Sequence, residues 1–449
     1  MKKVITYGSF DLFHNGHYRL LERAKKLGDY LIVGVTTEQY DEYRGKMNVV
    51  DSLLTRVENI KNTGLADEII IEDHPGQKIE DIQRLGIDVF AIGSDWTGKF
   101  EFLKDYCEVV YLERTKDISS TMLRNKNYSI IKLGIIGSGR IAGRFVQEAK
   151  FVSGVNVEGV YNPHIESARA FCETYELNFC EENLERFLEK VDAVYIASPN
   201  ITHYEYIKIA LQKKKHVLCE KPITLSAKET EEVYQLAEKQ GVILCEALKT
   251  AYAPGFVKVL SIAKTGQIGR IKDIEACFTK LVWSGRELDA GQFGGSVTEL
   301  ASYSLLPILK LYGTDYQNVR FETFLDENGV DRYTKIYMTY GNCIATAKVG
   351  LGVKSEGKLL ISGTEGYLTV DAPWWKTQSF EVCRENPEEN EKFYSKFLGD
   401  GLRYELSDFV SMINGHETKL FKLLPKESIA MSEIIEKFLK RENTEILSY

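Results

Sequence analysis

Two histidines, His14 and His17, flank Asn15-Gly16 directly after the run Gly8-Ser9-Phe10-Asp11-Leu12-Phe13. A short apolar strand, Lys3 to Tyr7, precedes them, and Leu20, Leu21, Ala24 and Leu27 follow at helical spacing. Two imidazoles at a helix N-terminus can both face an anion, and the helix dipole adds positive potential there. The chain has seven histidines, which makes a chance H-x-G-H uncommon, although a structural pair remains the alternative. No further His or Cys lies close in sequence, which disfavours a metal site. A second phosphate-type turn is Gly137-Ser138-Gly139-Arg140-Ile141-Ala142, entered from the apolar run Ile131 to Ile136. Phe145, Val146 and Ala149 continue it as a helix, and the strand Asn156 to Tyr161 arrives at βαβ spacing. Glycines there permit a tight turn and close approach of backbone to a pyrophosphate. At the end of that second strand stands Asn162-Pro163-His164, with no carboxylate to grip an adenine ribose, so NAD and NADP both stay open.

The elements that must position these residues are bounded by the length, 449 residues, which calls for two or three domains rather than one core. A net charge of −8 argues against general nucleic-acid binding. The eight cysteines show no C-x-x-C pair and read as reduced thiols. No apolar run approaches the ~20 residues that span a bilayer, so a cytoplasmic protein without membrane insertion is expected. Within residues 1–127, strands at Tyr30 to Val35, Glu68 to Ile71, Val89 to Gly93 and Glu108 to Tyr111 alternate with helical segments, one of them around Leu53 to Asn62. That alternation predicts a parallel sheet with helices on both faces and ligands beyond the carboxyl ends of its strands.

These motifs give residues 1–126 a resemblance to the H-x-G-H nucleotidyltransferases, and more narrowly to the bacterial glycerol-3-phosphate cytidylyltransferase type. It is carried by Gly8-Ser9-Phe10-Asp11, His14, His17, Lys46, Arg56, Gly93-Ser94-Asp95-Trp96 and the closing run Arg114-Thr115-x-x-Ile118-Ser119-Ser120-Thr121. The resemblance implies that His14 and His17 donate hydrogen bonds to the triphosphate of CTP and that Lys46 and Arg114 neutralise it. Ser119, Ser120 and Thr121 would cradle phosphate oxygens; Gly8, Ser9, Phe10, Asp11, Arg56, Asp95 and Trp96 complete the expected nucleotide site. For Asp95 a plain strand-end turn is the alternative. Mg²⁺ is expected on the triphosphate, held by substrate oxygens and water rather than by protein ligands. The acceptor is a polyol phosphate, whose oxygen is already anionic at pH 7, so the chemistry is mainly positioning and charge neutralisation.

Only Arg124 to Tyr128 separates that closing run from the next strand, too short for a long tether. Residues 130–252 read as a dinucleotide-binding domain. Val194 to Ala197 is a strand entering the loop Ser198-Pro199-Asn200-Ile201-Thr202-His203, and His216 to Cys219 is a strand ending in Glu220-Lys221-Pro222. In this order the motifs resemble the Gfo/Idh/MocA oxidoreductases, a resemblance that covers about residues 130–449. It implies cofactor contacts from Gly137, Ser138, Gly139, Arg140, Ile141, Asn162, Ser198, Pro199, Asn200, His203, Glu220 and Lys221. It makes Lys221 catalytic, with Pro222 fixing its backbone, through a cis bond in one reading.

Residues 253–449 are expected to add an α+β domain with an open, mainly antiparallel sheet, from strands such as Thr334 to Tyr340, Ile344 to Leu351 and Tyr367 to Val370. The resemblance implies that the free face of this sheet pairs subunits into a homo-oligomer. The helix led by Gly294-Gly295 places Tyr303 where most relatives carry His; the resemblance makes it a proton donor whose pKa Lys221 lowers, against the alternative of a core tyrosine. Lys249 and Arg286 would form a cationic substrate pocket suited to a phosphorylated ligand. The fold class is thus α/β, a Rossmann-like nucleotidyltransferase domain fused to a Rossmann dinucleotide-binding domain plus the α+β domain. The expected function is a bifunctional enzyme: NAD(P)H-dependent reduction of a sugar phosphate, then CTP-dependent formation of a CDP-polyol for envelope polymers such as teichoic acid or capsule. Two alternatives stand beside it, an oxidoreductase for an unrelated sugar-like substrate and a catalytically inactive cofactor-binding module.

Overall fold

A computed structural model describes residues 1–448 apart from Leu12, His14, 44–50, 114–130, Ser153 and 416–421, and apart from the side chains of Glu42 and Asp95. The chain divides into two compact units, Met1–Asn127 with Val257–Gln267, and Tyr128–Phe256 with Ile268–Tyr449.

The first unit is built on five strands in the spatial order Glu68–Glu72, Tyr30–Thr36, Lys3–Gly8, Val89–Gly93, Glu108–Leu112. Every pairing is parallel. The strands are nearly continuous in apolar residues because helices cover both faces; Ile5, Ile32 and Phe90 form the core with Ile82 and Leu103. The strand order reverses beside Lys3–Gly8, and the helix Asn15–Lys25 starts just beyond that strand's carboxyl end. Such a switch point is where a ligand crevice forms.

The second unit begins with a six-stranded parallel sheet in the order Leu244–Ala247, His216–Glu220, Ala193–Ile196, Ile131–Ile136, Val155–Tyr161, Phe179–Glu181. A nine-stranded sheet follows. It is mainly antiparallel, with parallel pairs where Ile271–Thr279 meets Ile344–Gly350 and where Asn318–Leu325 meets Thr444–Leu447. Three of its strands, Ser379–Cys383, Glu391–Tyr394 and Thr444–Leu447, are not among those read from the sequence. The last two are only four residues long, so they carry little periodic signal.

The two C-terminal helices return to the parallel sheet. The helix Leu402–Gly415 turns Leu402, Leu406, Phe409 and Ile413 inward, and it packs on the helix Arg140–Ala149 and on the last two strands of that sheet. Glu148 fastens it there: its carboxylate accepts from Arg403 Nε at 2.8 Å, Arg403 Nη2 at 3.0 Å and the Asp400 amide at 3.1 Å. The helix Pro425–Leu439 packs on Ala227–Gln240, where Thr230 bonds Ser432 at 2.8 Å and the Ala227 amide donates to Glu436 at 2.9 Å.

Candidate functional site

In the second unit, Gly137 has φ +99°, and a Cβ there would lie 2.8 Å from the Ala197 carbonyl oxygen. Only glycine fits between the two strand-end loops. A Cβ on Gly139 would meet nothing within 4 Å, because it faces open space. The helix that follows, Arg140–Ala149, has no side-chain cap, which leaves its first N–H groups for an anion. These features open onto a cavity of about 730 Å³, within the usual range of ligand sites. Gly137 to Ile141, Asn162, Ser198 to Asn200, His203, Glu220, Lys221, Lys249, Arg286 and Tyr303 all line it. The residues fit a nicotinamide dinucleotide: a glycine cradle at a helix N-terminus, then a polar, lysine-bearing floor. Asn162 donates from Nδ2 to Ser138 Oγ at 2.8 Å and accepts the His164 amide at 2.9 Å, so no carboxylate replaces it.

The floor is ordered around Lys221. Its peptide bond to Pro222 is cis, the Pro222 carbonyl lies 2.9 Å from His203 Nδ1, and the Ile223 amide donates to Glu246 at 3.2 Å. Lys221 Nζ donates to the Glu299 carbonyl at 2.9 Å and stands 3.7 Å from the Glu299 carboxylate, with Arg286 3.6 Å from the same group. Glu220 accepts from the Tyr195 hydroxyl at 2.6 Å and from the Lys221 amide at 3.2 Å.

Two expectations are corrected here. His203 has both ring nitrogens against carbonyls, of Pro222 at 2.9 Å and Ser198 at 3.0 Å, and burial pushes its pKa down to about 4. It therefore ties the two loops together rather than offering a polar atom to a cofactor. Tyr303 is not acidified by Lys221, whose Nζ lies 5.9 Å from its ring centroid; burial, then Glu220, Glu405 and Glu299, push the phenol well up. Glu299 and Phe278 also line the cavity, and the sequence reading passed over both. Glu299 had a signal, since it sits one helical turn before Tyr303. Phe278 packs edge-on against Tyr303 at 5.1 Å and had none.

In the first unit, His17 lies in the first turn of Asn15–Lys25, and Phe10 and Phe13 each hold its ring at 5.6 Å. Phe10 takes φ +51°, a conformation that costs a non-glycine residue. Trp96 is exposed in the turn Ser94–Trp96. Two of the expected nucleotide contacts lie buried behind the loop Ser9 to Asp11. Arg56 is wholly buried; it donates to the carbonyls of Thr36 at 2.7 Å, Ser9 at 2.8 Å and Asp51 at 3.0 Å, with Glu38 at 3.6 Å and Asp41 at 3.7 Å. Asp11 is also wholly buried and accepts the Asp51 amide at 2.8 Å. Both hold the Ser9 to Asp11 loop from inside. His14, Lys46, Arg114, Ser119, Ser120, Thr121 and the Asp95 side chain lie outside the described residues.

Comparison with known proteins matches residues 5–126 to the cytidylyltransferase-like family and residues 131–248 to the oxidoreductase family with an NAD-binding Rossmann fold, Gfo/Idh/MocA. The glycerol-3-phosphate cytidylyltransferase of Bacillus spizizenii is 52% identical over 130 residues, which is 29% of this chain and 100% of that protein. The scyllo-inositol 2-dehydrogenase (NADP(+)) of Bacillus subtilis is 26% identical over 323 residues, 70% of this chain and 97% of that protein. A 3-ketoreductase from Actinomadura kijaniata, solved with NADP and TDP-benzene, superposes with a TM-score of 0.63 at 21% identity, over 71% of this chain and 99% of that one. With the glycine cradle and the lysine-bearing floor in place, the chain belongs through its N-terminal part to the glycerol-3-phosphate cytidylyltransferase-like enzymes, and its C-terminal part carries the NAD-binding Rossmann domain of the Gfo/Idh/MocA oxidoreductases.

Proposed function

We propose that this protein makes a CDP-polyol by two steps, reducing a ketose or aldose phosphate and then transferring a cytidylyl group from CTP to the polyol phosphate. The observation that carries the reading is that Lys221, Lys249, Arg286 and Tyr303 all line the dinucleotide cavity. A bound NAD(P)H supplies hydride. Lys221 orients and polarises the carbonyl oxygen, Tyr303 is a neutral donor at the same oxygen, and Lys249 with Arg286 binds the phosphate of the substrate. In the first unit, His17 with His14, Lys46 and Arg114 meets the triphosphate of a Mg²⁺-bound CTP, and pyrophosphate leaves as the polyol phosphate attacks. Glycerol-like or ribitol-like acceptors fit the short-polyol chemistry, and the CDP-polyol suits synthesis of teichoic acid or capsule. The open sheet face, with Ile344, Tyr367 and Tyr394 exposed, suits a second copy of the chain.

The test is a single reaction with a ketose phosphate, NADH or NADPH, CTP and Mg²⁺. A fall in absorbance together with a CDP-polyol is expected. His17→Ala should abolish the CDP-product and leave the absorbance change. Lys249→Ala and Arg286→Ala should raise KM for the phosphorylated substrate. No cofactor oxidation across a panel of ketose and aldose phosphates sinks the reductive half; CTP conversion unaffected by His17→Ala sinks the other.

A further inference from the structure

Part of the dinucleotide cavity has an aromatic wall. Phe278, near the end of the strand Ile271–Thr279, lines the cavity together with Tyr303 of the helix Ser296–Tyr312. The two rings meet edge-on, with centroids 5.1 Å apart. Trp375, outside the cavity lining, stacks on the Phe278 ring at 3.6 Å and 8° from parallel. A Cβ on Gly357 would lie 2.6 Å from the Trp375 ring, so the indole needs glycine at that position. Two hydrogen bonds tether this wall. Trp374 Nε1 donates to the carbonyl of Cys277, the residue before Phe278, at 2.9 Å. The Thr250 hydroxyl donates to the Trp375 carbonyl at 3.0 Å, and Thr250 follows Lys249 in the turn Lys249–Tyr252. Trp374 and Thr250 are both wholly buried. The wall thus joins the turn that bears Lys249 to the helix that bears Tyr303.

A ring stacked from behind and met at its edge cannot swing aside without losing both contacts. Phe278 also offers neither donor nor acceptor, so a hydroxyl turned against it gives up water and gains no partner. Resting on the reading of this cavity as a carbonyl-reducing site, we propose that Phe278 selects the carbon chain of the substrate and that Trp375 is the positioning residue that holds it. A carbonyl oxygen at Lys221 and Tyr303, with a phosphate at Lys249 and Arg286, puts the substrate carbons against the Phe278 ring. The ring accepts their C–H edges and fills the room that further hydroxymethylene groups would need. The substrate class is a short acyclic ketose or aldose phosphate, and longer chains are turned away by Phe278 rather than by a polar contact.

The full chain is assayed for NADH or NADPH oxidation with dihydroxyacetone phosphate, ribulose 5-phosphate, fructose 6-phosphate and the matching aldose phosphates. The readout is kcat/KM for the six-carbon probes relative to the best shorter one, a ratio in which the amount of folded enzyme cancels. Wild type should prefer a shorter probe, and Phe278→Ala should raise the ratio by about tenfold or more. Trp375→Leu should raise it by a smaller factor, because the Thr250 bond goes to the backbone carbonyl and survives while the stack is lost. If Phe278→Ala fails to fold, Phe278→Leu serves instead, with a smaller rise in the same direction. A wild type that prefers the six-carbon probes, or a Phe278 variant whose ratio stays within about twofold of wild type, overturns the proposal and leaves the cavity assignment standing. An unmoved ratio in Trp375→Leu alone overturns the positioning role. No cofactor oxidation by wild type with any of these probes overturns both the proposal and the reading on which it rests.

Discussion

Arg56 and Glu405 occupy comparable places in the two units. Each lies on the buried face of an amphipathic helix, Arg56 among Leu53, Val57 and Ile60, Glu405 among Leu402, Leu406 and Phe409. Both side chains are wholly buried. Their surroundings differ. Arg56 donates to three backbone carbonyls and has two carboxylates within 4 Å, whereas neither oxygen of Glu405 has a partner. The Arg56 charge is met by backbone carbonyls at Nε and Nη1 while its Nη2 has no hydrogen bond, and Glu405 has none at either oxygen, so the two differ in how far their burial is offset.

That contrast can be broken in three places. Arg56→Ala should destabilise the first unit by about 3–5 kcal/mol in denaturant titration, because it removes the guanidinium that bonds three carbonyls and faces Glu38 and Asp41. Arg56→Lys should recover little, since a point charge cannot reproduce the guanidinium fork. A loss under ~1 kcal/mol, with a large rise in KM for CTP instead, would make Arg56 a ligand after all.

Asp331 supplies the intermediate case, a buried carboxyl that is bonded, accepting the Val297 amide at 2.9 Å and the Thr334 hydroxyl at 3.0 Å. Burial still raises its pKa to about 7. A carboxyl raised in the folded state contributes fully below its unfolded value of about 4 and loses that contribution as pH climbs through about 7. Between pH 5 and 8 the wild type should therefore lose on the order of 2 kcal/mol relative to Asp331→Asn. Parallel pH profiles for the two proteins would show that the hydrogen bonds fully offset burial. The smallest effect belongs to an exposed pair. Arg140 lies 3.4 Å from Glu287 with most of its side chain in solvent, and Glu287→Gln should shift stability by less than ~1 kcal/mol. A larger loss would mean that surface charges, too, are structural here.

Much of this was legible in the sequence because period and turn chemistry agree. Gly137 to Ala142 sits between a strand and a helix, and the residues flagged around it, from Asn162 to Tyr303, all line one cavity. What sequence motifs could not separate was contact from support. Arg56, Asp11 and His203 lie in motifs of the right type, yet each faces the backbone behind its loop. Their helical register held the warning for Arg56, as it did for Glu405, since both fall on apolar stripes. The short edge strands escaped because four residues carry too little alternation to stand out.

The clamp of Glu148 on Arg403 and the Asp400 amide has a consequence for how the chain is made. Every strand of the first sheet has been synthesised by Leu112, so that sheet can close early in translation. The dinucleotide sheet is also complete by Ala247, but the helix Leu402–Gly415 that packs on it comes from the far end of the chain. Its apolar flank must wait for nearly the whole message to be read. A nascent chain stalled in the sheet domain would thus carry a finished nucleotidyltransferase sheet beside an uncovered redox half, the form most exposed to aggregation and to chaperones.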